Sequence, residues 1–196
     1  MAKKKLDISA EEAMERADVL FSQGEVEAGN EYLGMVISGG KKNAEVLFDF
    51  AVDVEDEKPY AAIKYYSKAI ELEPKHSEAC YGLGRCYGRV GELDKAIECF
   101  KKAIKHAPKD AKAYCGLGLA LSHKGEHKQA LAKMKKAIEL EPDDSVDYQV
   151  YAMILSNKGD LKGALRQYRH SESIDKNLQV EYEIAKIKAL IEDNGG

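Results

Sequence analysis

Apolar residues recur at three- and four-residue spacing along most of this chain. Leu83, Cys86, Tyr87 and Val90 form one such stretch, and Ala96, Ile97, Phe100, Ala103 and Ile104 form the next. That spacing gathers apolar side chains on one face of a helix and leaves charged residues on the other. Short polar breaks separate the stretches: RVGELD at 89–94, HKGEHK at 123–128 and NKGDLK at 157–162. Each break carries a glycine (Gly91, Gly125, Gly159) where a helix C-terminus favours a left-handed residue. The pattern predicts an all-α chain of paired helices joined by tight turns. A last stretch, LQVEYEIAKIKALIED at 178–193, puts Val180, Ile184, Ile187 and Ile191 on one stripe. Such a helix either covers the open end of a helical stack or uses its apolar stripe to self-associate.

The stretches repeat. Pro74, Pro108 and Pro142 stand 34 residues apart, after ELE, KHA and ELE. CYGLGRCY (80–87) falls over YCGLGLAL (114–121) and YQVYAMIL (148–155). KAIECFKKAI (95–104) falls over AAIKYYSKAI (61–70), QALAKMKKAI (129–138) and GALRQYRHSE (163–172). A fixed period of this length marks a repeat architecture. The unit resembles the tetratricopeptide repeat (TPR), through Leu83, Gly84, Tyr87, Ala96, Phe100, Ala103 and Pro108 in residues 77–110. Residues 111–144 match through Tyr114, Leu117, Gly118, Leu121, Ala130, Met134, Ala137 and Pro142. Residues 145–178 match through Tyr148, Tyr151, Ala152, Leu155, Ala164 and Tyr168, with Ser171 and Lys176 in place of the later Ala and Pro. Residues 43–76 match through Leu47, Phe50, Ala51, Val54, Ala62, Tyr66, Ala69 and Pro74, with a shorter turn before Pro59. Residues 8–42 look like a degenerate copy aligned through Ala17, Leu20 and Gly24.

The resemblance implies a right-handed α-α superhelix, a TPR solenoid of antiparallel helix pairs. The expected organisation is a disordered tail at 1–7, the degenerate pair at 8–42, and repeats at 43–76, 77–110, 111–144 and 145–178. A capping helix with a frayed end follows at 179–196. Small residues at Gly84, Gly118 and Ala152, facing Ala96, Ala130 and Ala164, are expected to let paired helices approach closely.

Charge and composition narrow the function. Thirty basic and 34 acidic side chains give a formal charge of −4, without the cationic excess that a nucleic-acid surface needs. No apolar run approaches the ~20 residues of a membrane span. The start, MAKKKLDISAEEAMER, lacks the apolar core of a secretory signal. The cysteines Cys80, Cys86, Cys99 and Cys115 form no C-x-x-C pair, so reduced thiols in a cytoplasmic protein are expected.

Catalytic and cofactor chemistry finds little support. Gly82, Gly84 and Gly88 in YGLGRCYG nearly spell a dinucleotide loop, but that loop must follow a strand and open a helix. Here the glycines lie within a helical stretch. His123 and His127 have zinc-helix spacing, yet Gly125 breaks their shared face. Asp49, Asp53, Glu55, Asp56 and Glu57 read as a solvated acidic face. Glu98 and Lys102 read as an exposed i, i+4 pair. SGGKK at 38–42 reads as a helix stop, and Cys80 and Cys115 as inert core thiols. No enzyme and no cofactor or metal site is expected.

The resemblance also implies a concave surface lined by the first helix of each pair, which accepts a peptide or helix from a partner. Its register assigns Phe48, Val52, Tyr81, Arg85, Arg89, Lys112, Leu119 and Met153 to that groove. The clamp by which some TPR proteins hold the carboxylate end of chaperones does not fit, since only Lys112 matches it. The expected role is a protein-interaction scaffold or adaptor, binding a segment with apolar anchors and some acidic residues. The alternative is a self-assembling TPR scaffold that forms homo-oligomers. Replacing Arg85 and Lys112 by glutamate is expected to weaken partner binding and leave stability nearly unchanged.

Overall fold

The computed structural model describes residues 8–193; the tail expected at 1–7 and the frayed end at 194–196 lie outside them. The chain forms two compact units, Met1–Val90 and Gly91–Gly196. The described residues form eleven α-helices and one 3-10 turn, with no strand among them. The fold class is the all-α TPR solenoid.

The first unit holds α1 (Ala10–Ser22), α2 (Val26–Ser38), the 3-10 turn Gly40–Asn43, α3 (Ala44–Val54), α4 (Pro59–Leu72) and α5 (Ser77–Arg89). Side chains close several helix starts, where backbone N–H groups have no partner within the helix. The Ser9 hydroxyl accepts from the Glu12 N–H at 3.1 Å, and His76 Nδ1 accepts from the Ala79 N–H at 3.3 Å. Pro59 opens α4, where its missing N–H costs nothing. Met14, Leu47, Tyr65 and Tyr66 fill the core, with Ala17, Ala51, Ala62 and Ala69 packed between them. Gly82 lies inside α5, where its missing side chain makes room for the Tyr66 ring. The glycines of YGLGRCYG therefore sit in a helix, not in a phosphate-binding loop.

The second unit holds α6 (Leu93–His106), α7 (Ala111–His123), α8 (His127–Leu140), α9 (Ser145–Asn157), α10 (Leu161–Ile174) and α11 (Leu178–Asp193). Asp110 and Asp144 cap α7 and α9 by accepting the N–H of Lys112 (3.0 Å) and Val146 (2.8 Å). Gly125 and Gly159 take φ near +81° and +89° in the turns α7–α8 and α9–α10, a region that any side chain makes costly. Gly118 faces α8 so closely that a Cβ there would stand 3.2 Å from the Ala130 carbonyl oxygen and 2.8 Å from Met134 Sδ. Ala152 and Ala164 share one buried cluster with Leu155 and Tyr168.

The stripe foreseen on α11 lies in that same cluster. Val180, Ile184 and Ile187 are buried against Ala152, Leu155, Ala164 and Tyr168, and Ile191 packs at the edge. Burying the stripe removes it from the surface that self-association would need. Among the described residues no helix is long and apolar enough to cross a membrane.

Two surface expectations change. Glu98 pairs with Lys101 at 3.0 Å, one residue earlier than the anticipated Lys102. Glu55, read as part of a solvated acidic face, is only 7% exposed.

Candidate partner-binding face

In the first unit, α3 and α5 present the expected residues. The Phe48 ring rests 4.8 Å from the His76 ring at the start of α5. At the other end of α3, Glu55 and Asp56 meet Arg85 and Arg89 near the end of α5. The two helices therefore run side by side in the same direction, and Phe48, Val52, Tyr81, Arg85 and Arg89 share one neighbourhood. Val52 is 45% exposed and Phe48 half-buried. The Arg85 guanidinium stands 5.9 Å from the centre of the Tyr81 ring, within reach of a cation–π attraction.

The arginines already hold carboxylates. Arg85 Nη2 lies 3.1 Å from Glu55 Oε1, and the Tyr66 hydroxyl donates to Glu55 Oε2 at 2.9 Å. A buried carboxylate needs both a countercharge and hydrogen bonds to offset its desolvation. Arg89 binds the exposed Asp56 carboxylate and also donates to the Glu55 carbonyl (3.3 Å) and the Asp56 carbonyl (3.2 Å). These contacts secure the α3–α4 turn, which lacks the left-handed glycine of the other helix-pair turns. Burial, reinforced by Glu55, pushes the Tyr66 hydroxyl well above its usual range. The Cys86 thiol is pushed up to about 11, chiefly by burial and next by Glu55. It stays protonated near neutral pH, as burial dictates for a thiol.

Arg85 thus neutralises a buried charge, which changes the expectation for its replacement. Glutamate at 85 would leave Glu55 beside a like charge and destabilise the first unit. Val52 carries no such duty.

In the second unit, α7 offers the exposed Lys112 and the half-buried Leu119, and α9 offers the half-buried Met153. Between them lies a feature that sequence reading missed. Asp147 on α9 is buried and takes a side-chain hydrogen bond from Cys115 on α7. Burial raises the Asp147 carboxyl above its ordinary range, partly opposed by that hydrogen bond. Burial and the neighbouring Asp147 push the Cys115 thiol far up. In the sequence Asp147 sits three residues after Asp144 at a helix start, where an exposed acidic residue is ordinary. Nothing in that pattern announces its burial. His123 ends α7 and His127 begins α8, on opposite sides of the left-handed Gly125.

Tetratricopeptide-repeat family models match residues 77–110, 99–132 and 56–76. No curated protein sequence gives a significant match. Among solved structures, a crystal structure of MamA is 26% identical with a TM-score of 0.64, covering 87% of this chain and 96% of that one. YrrB, a TPR protein with an unusual peptide-binding site, is 26% identical with a TM-score of 0.63, covering 81% and 83%. The thermophilic TPR protein TTC0263 of Thermus thermophilus is 20% identical with a TM-score of 0.69, covering 92% and 100%. The 34-residue period, the helix pairs and these matches agree: residues 56–132 of this chain are tetratricopeptide repeats.

Proposed function

We propose that this chain is a non-catalytic protein-interaction scaffold or adaptor that binds a partner's peptide or helix on the faces of its first helices. The observation that carries this reading is the α3–α5 face. An exposed Val52 and half-buried Phe48 and Tyr81 stand beside two guanidinium groups whose own carboxylates satisfy them only in part. Apolar anchors supply the affinity and the arginines select the charge. Arg89 holds Asp56 at the surface, so a partner carboxylate can take the place of Asp56 without exposing buried charge. Arg85 remains committed to Glu55 and offers its remaining donors. Lys112, Leu119 and Met153 form the corresponding surface of the second unit. YrrB, whose structure contains a peptide-binding site, supports the reading from a related fold. A cytoplasmic setting fits four cysteines that form no disulfide.

The test is peptide display on the purified chain, followed by calorimetry on the selected sequences. Peptides with two or more apolar anchors and an acidic residue are expected to enrich. Their affinity should be about −8 kcal/mol, in the micromolar range. Val52→Asp should weaken binding about tenfold or more, because it places a charge where an anchor is buried, without changing the unfolding temperature. Absence of enrichment, or equal binding to Val52→Asp, overturns the reading.

A further inference from the structure

The outer face of α11 carries a pattern that the buried stripe does not explain. Leu178 is 83% exposed and Tyr182 62%, and Ala185 and Ala189 are also exposed. At about 100° per residue, these four side chains fall on one narrow strip opposite Val180, Ile184 and Ile187. Their spacing of four, three and four is that of a two-helix seam. In the preceding first helices, the places of Tyr182, Ala185 and Ala189 belong to Tyr148, Tyr151 and Leu155, all half-buried or buried.

From this we infer that α11 pairs antiparallel with α11 of a second copy of this chain. The strip is complementary to itself. A two-fold axis at the level between Glu183 and Ile184 sets Leu178 opposite Ala189 of the other copy and Tyr182 opposite Ala185. Each large side chain meets a small one, and the reciprocal contacts repeat the match, as an isologous interface demands. The flanks agree with the seam. On one side Glu181 comes near Lys188 of the other copy, twice by symmetry. On the other side Lys186 comes near the neutral Gln179.

Lys186 also argues against a different occupant. It stands at the place of Gly118 and Ala152, the small residues that let a second helix of the ordinary repeat approach closely. A helix added in that mode would bury the Lys186 ammonium, whereas the antiparallel seam leaves it at the solvated edge. The contact is one helix face long, well below the roughly 1,600 Å² of a standard stable interface, so the dimer is weak and dissociates on dilution.

Sedimentation of the full chain from about 1 µM to about 1 mM spans the affinity expected of so small a contact. The average mass should rise from monomer toward dimer across that range. Ala185→Glu should remain monomeric throughout with unchanged helicity and unfolding temperature, since position 185 is exposed. Lys188→Glu should weaken association about tenfold, and adding Glu181→Lys should restore it. Three results overturn the inference: a monomer at every concentration, association of Ala185→Glu like the wild type, or no recovery in the double variant. The second of these would place self-association on another surface.

Discussion

Replacing Gly82 by alanine adds one methyl group inside α5, and two opposing effects decide the outcome. In an open helix the change stabilises by about 1 kcal/mol, because glycine loses more backbone freedom on folding. At Gly82, however, the new Cβ would stand 2.4 Å from Tyr66 Cζ and 2.8 Å from Cε1. Carbon atoms in contact settle at about 3.5–4.0 Å, so the ring must retreat by about 1 Å. Tyr66 is 1% exposed and donates to the buried Glu55 carboxylate at 2.9 Å. Overpacking of this kind costs roughly 1–3 kcal/mol, and a weakened hydrogen bond to a charged acceptor roughly 1.5–3 kcal/mol more. After the helix gain is subtracted, Gly82→Ala should destabilise by roughly 1.5–5 kcal/mol. Gly88 supplies the control in the same helix, since a Cβ there meets nothing within 4 Å; Gly88→Ala should stabilise by about 0.5–1 kcal/mol. Urea unfolding followed by circular dichroism separates the two variants. In a Tyr66→Ala background the penalty at Gly82 should vanish, giving a coupling of about 2 kcal/mol or more. A Gly82→Ala protein as stable as the wild type, or a cycle without coupling, would refute the steric argument.

Ser171→Ala should stabilise by about 1–2 kcal/mol, read as a rise in unfolding temperature. The Ser171 hydroxyl is fully buried without a hydrogen-bond partner among the described residues, and alanine fills the same place at Ala69, Ala103 and Ala137. Asp147 predicts a pH effect whose sign follows from its raised carboxyl. The folded chain holds that proton more tightly than the unfolded chain, so Asp147 lowers stability as pH rises from 3.8 through its folded value. Asp147→Asn should therefore be more stable than the wild type at pH 7, with the advantage fading as pH falls through the folded value of Asp147 and gone below 3.8; chemical denaturation at a series of pH values reads it.

Period and pattern fix the helices of this chain because each requirement is local. An apolar residue every third or fourth position, a turn glycine and a proline past the helix end act within a few residues of themselves. The prolines at 74, 108 and 142 and the glycines at 91, 125 and 159 placed the paired helices directly, and the left-handed φ at those glycines is what the turns require. That Phe48, Val52, Tyr81, Arg85 and Arg89 lie near one another was legible as well, since the repeat register sets α3 beside α5. Their partners were not. Whether Glu55 faces water or Tyr66 depends on where α3, α4 and α5 place side chains 11 and 30 positions apart in the chain. The same holds for Asp147, whose burial depends on the approach of α7. It holds for α11 too, where the α9–α10 core decides which of two apolar stripes is covered. Periodicity says which residues share a helix face. Desolvation and ion pairing depend on distances between helices, and those are set only when the helices pack.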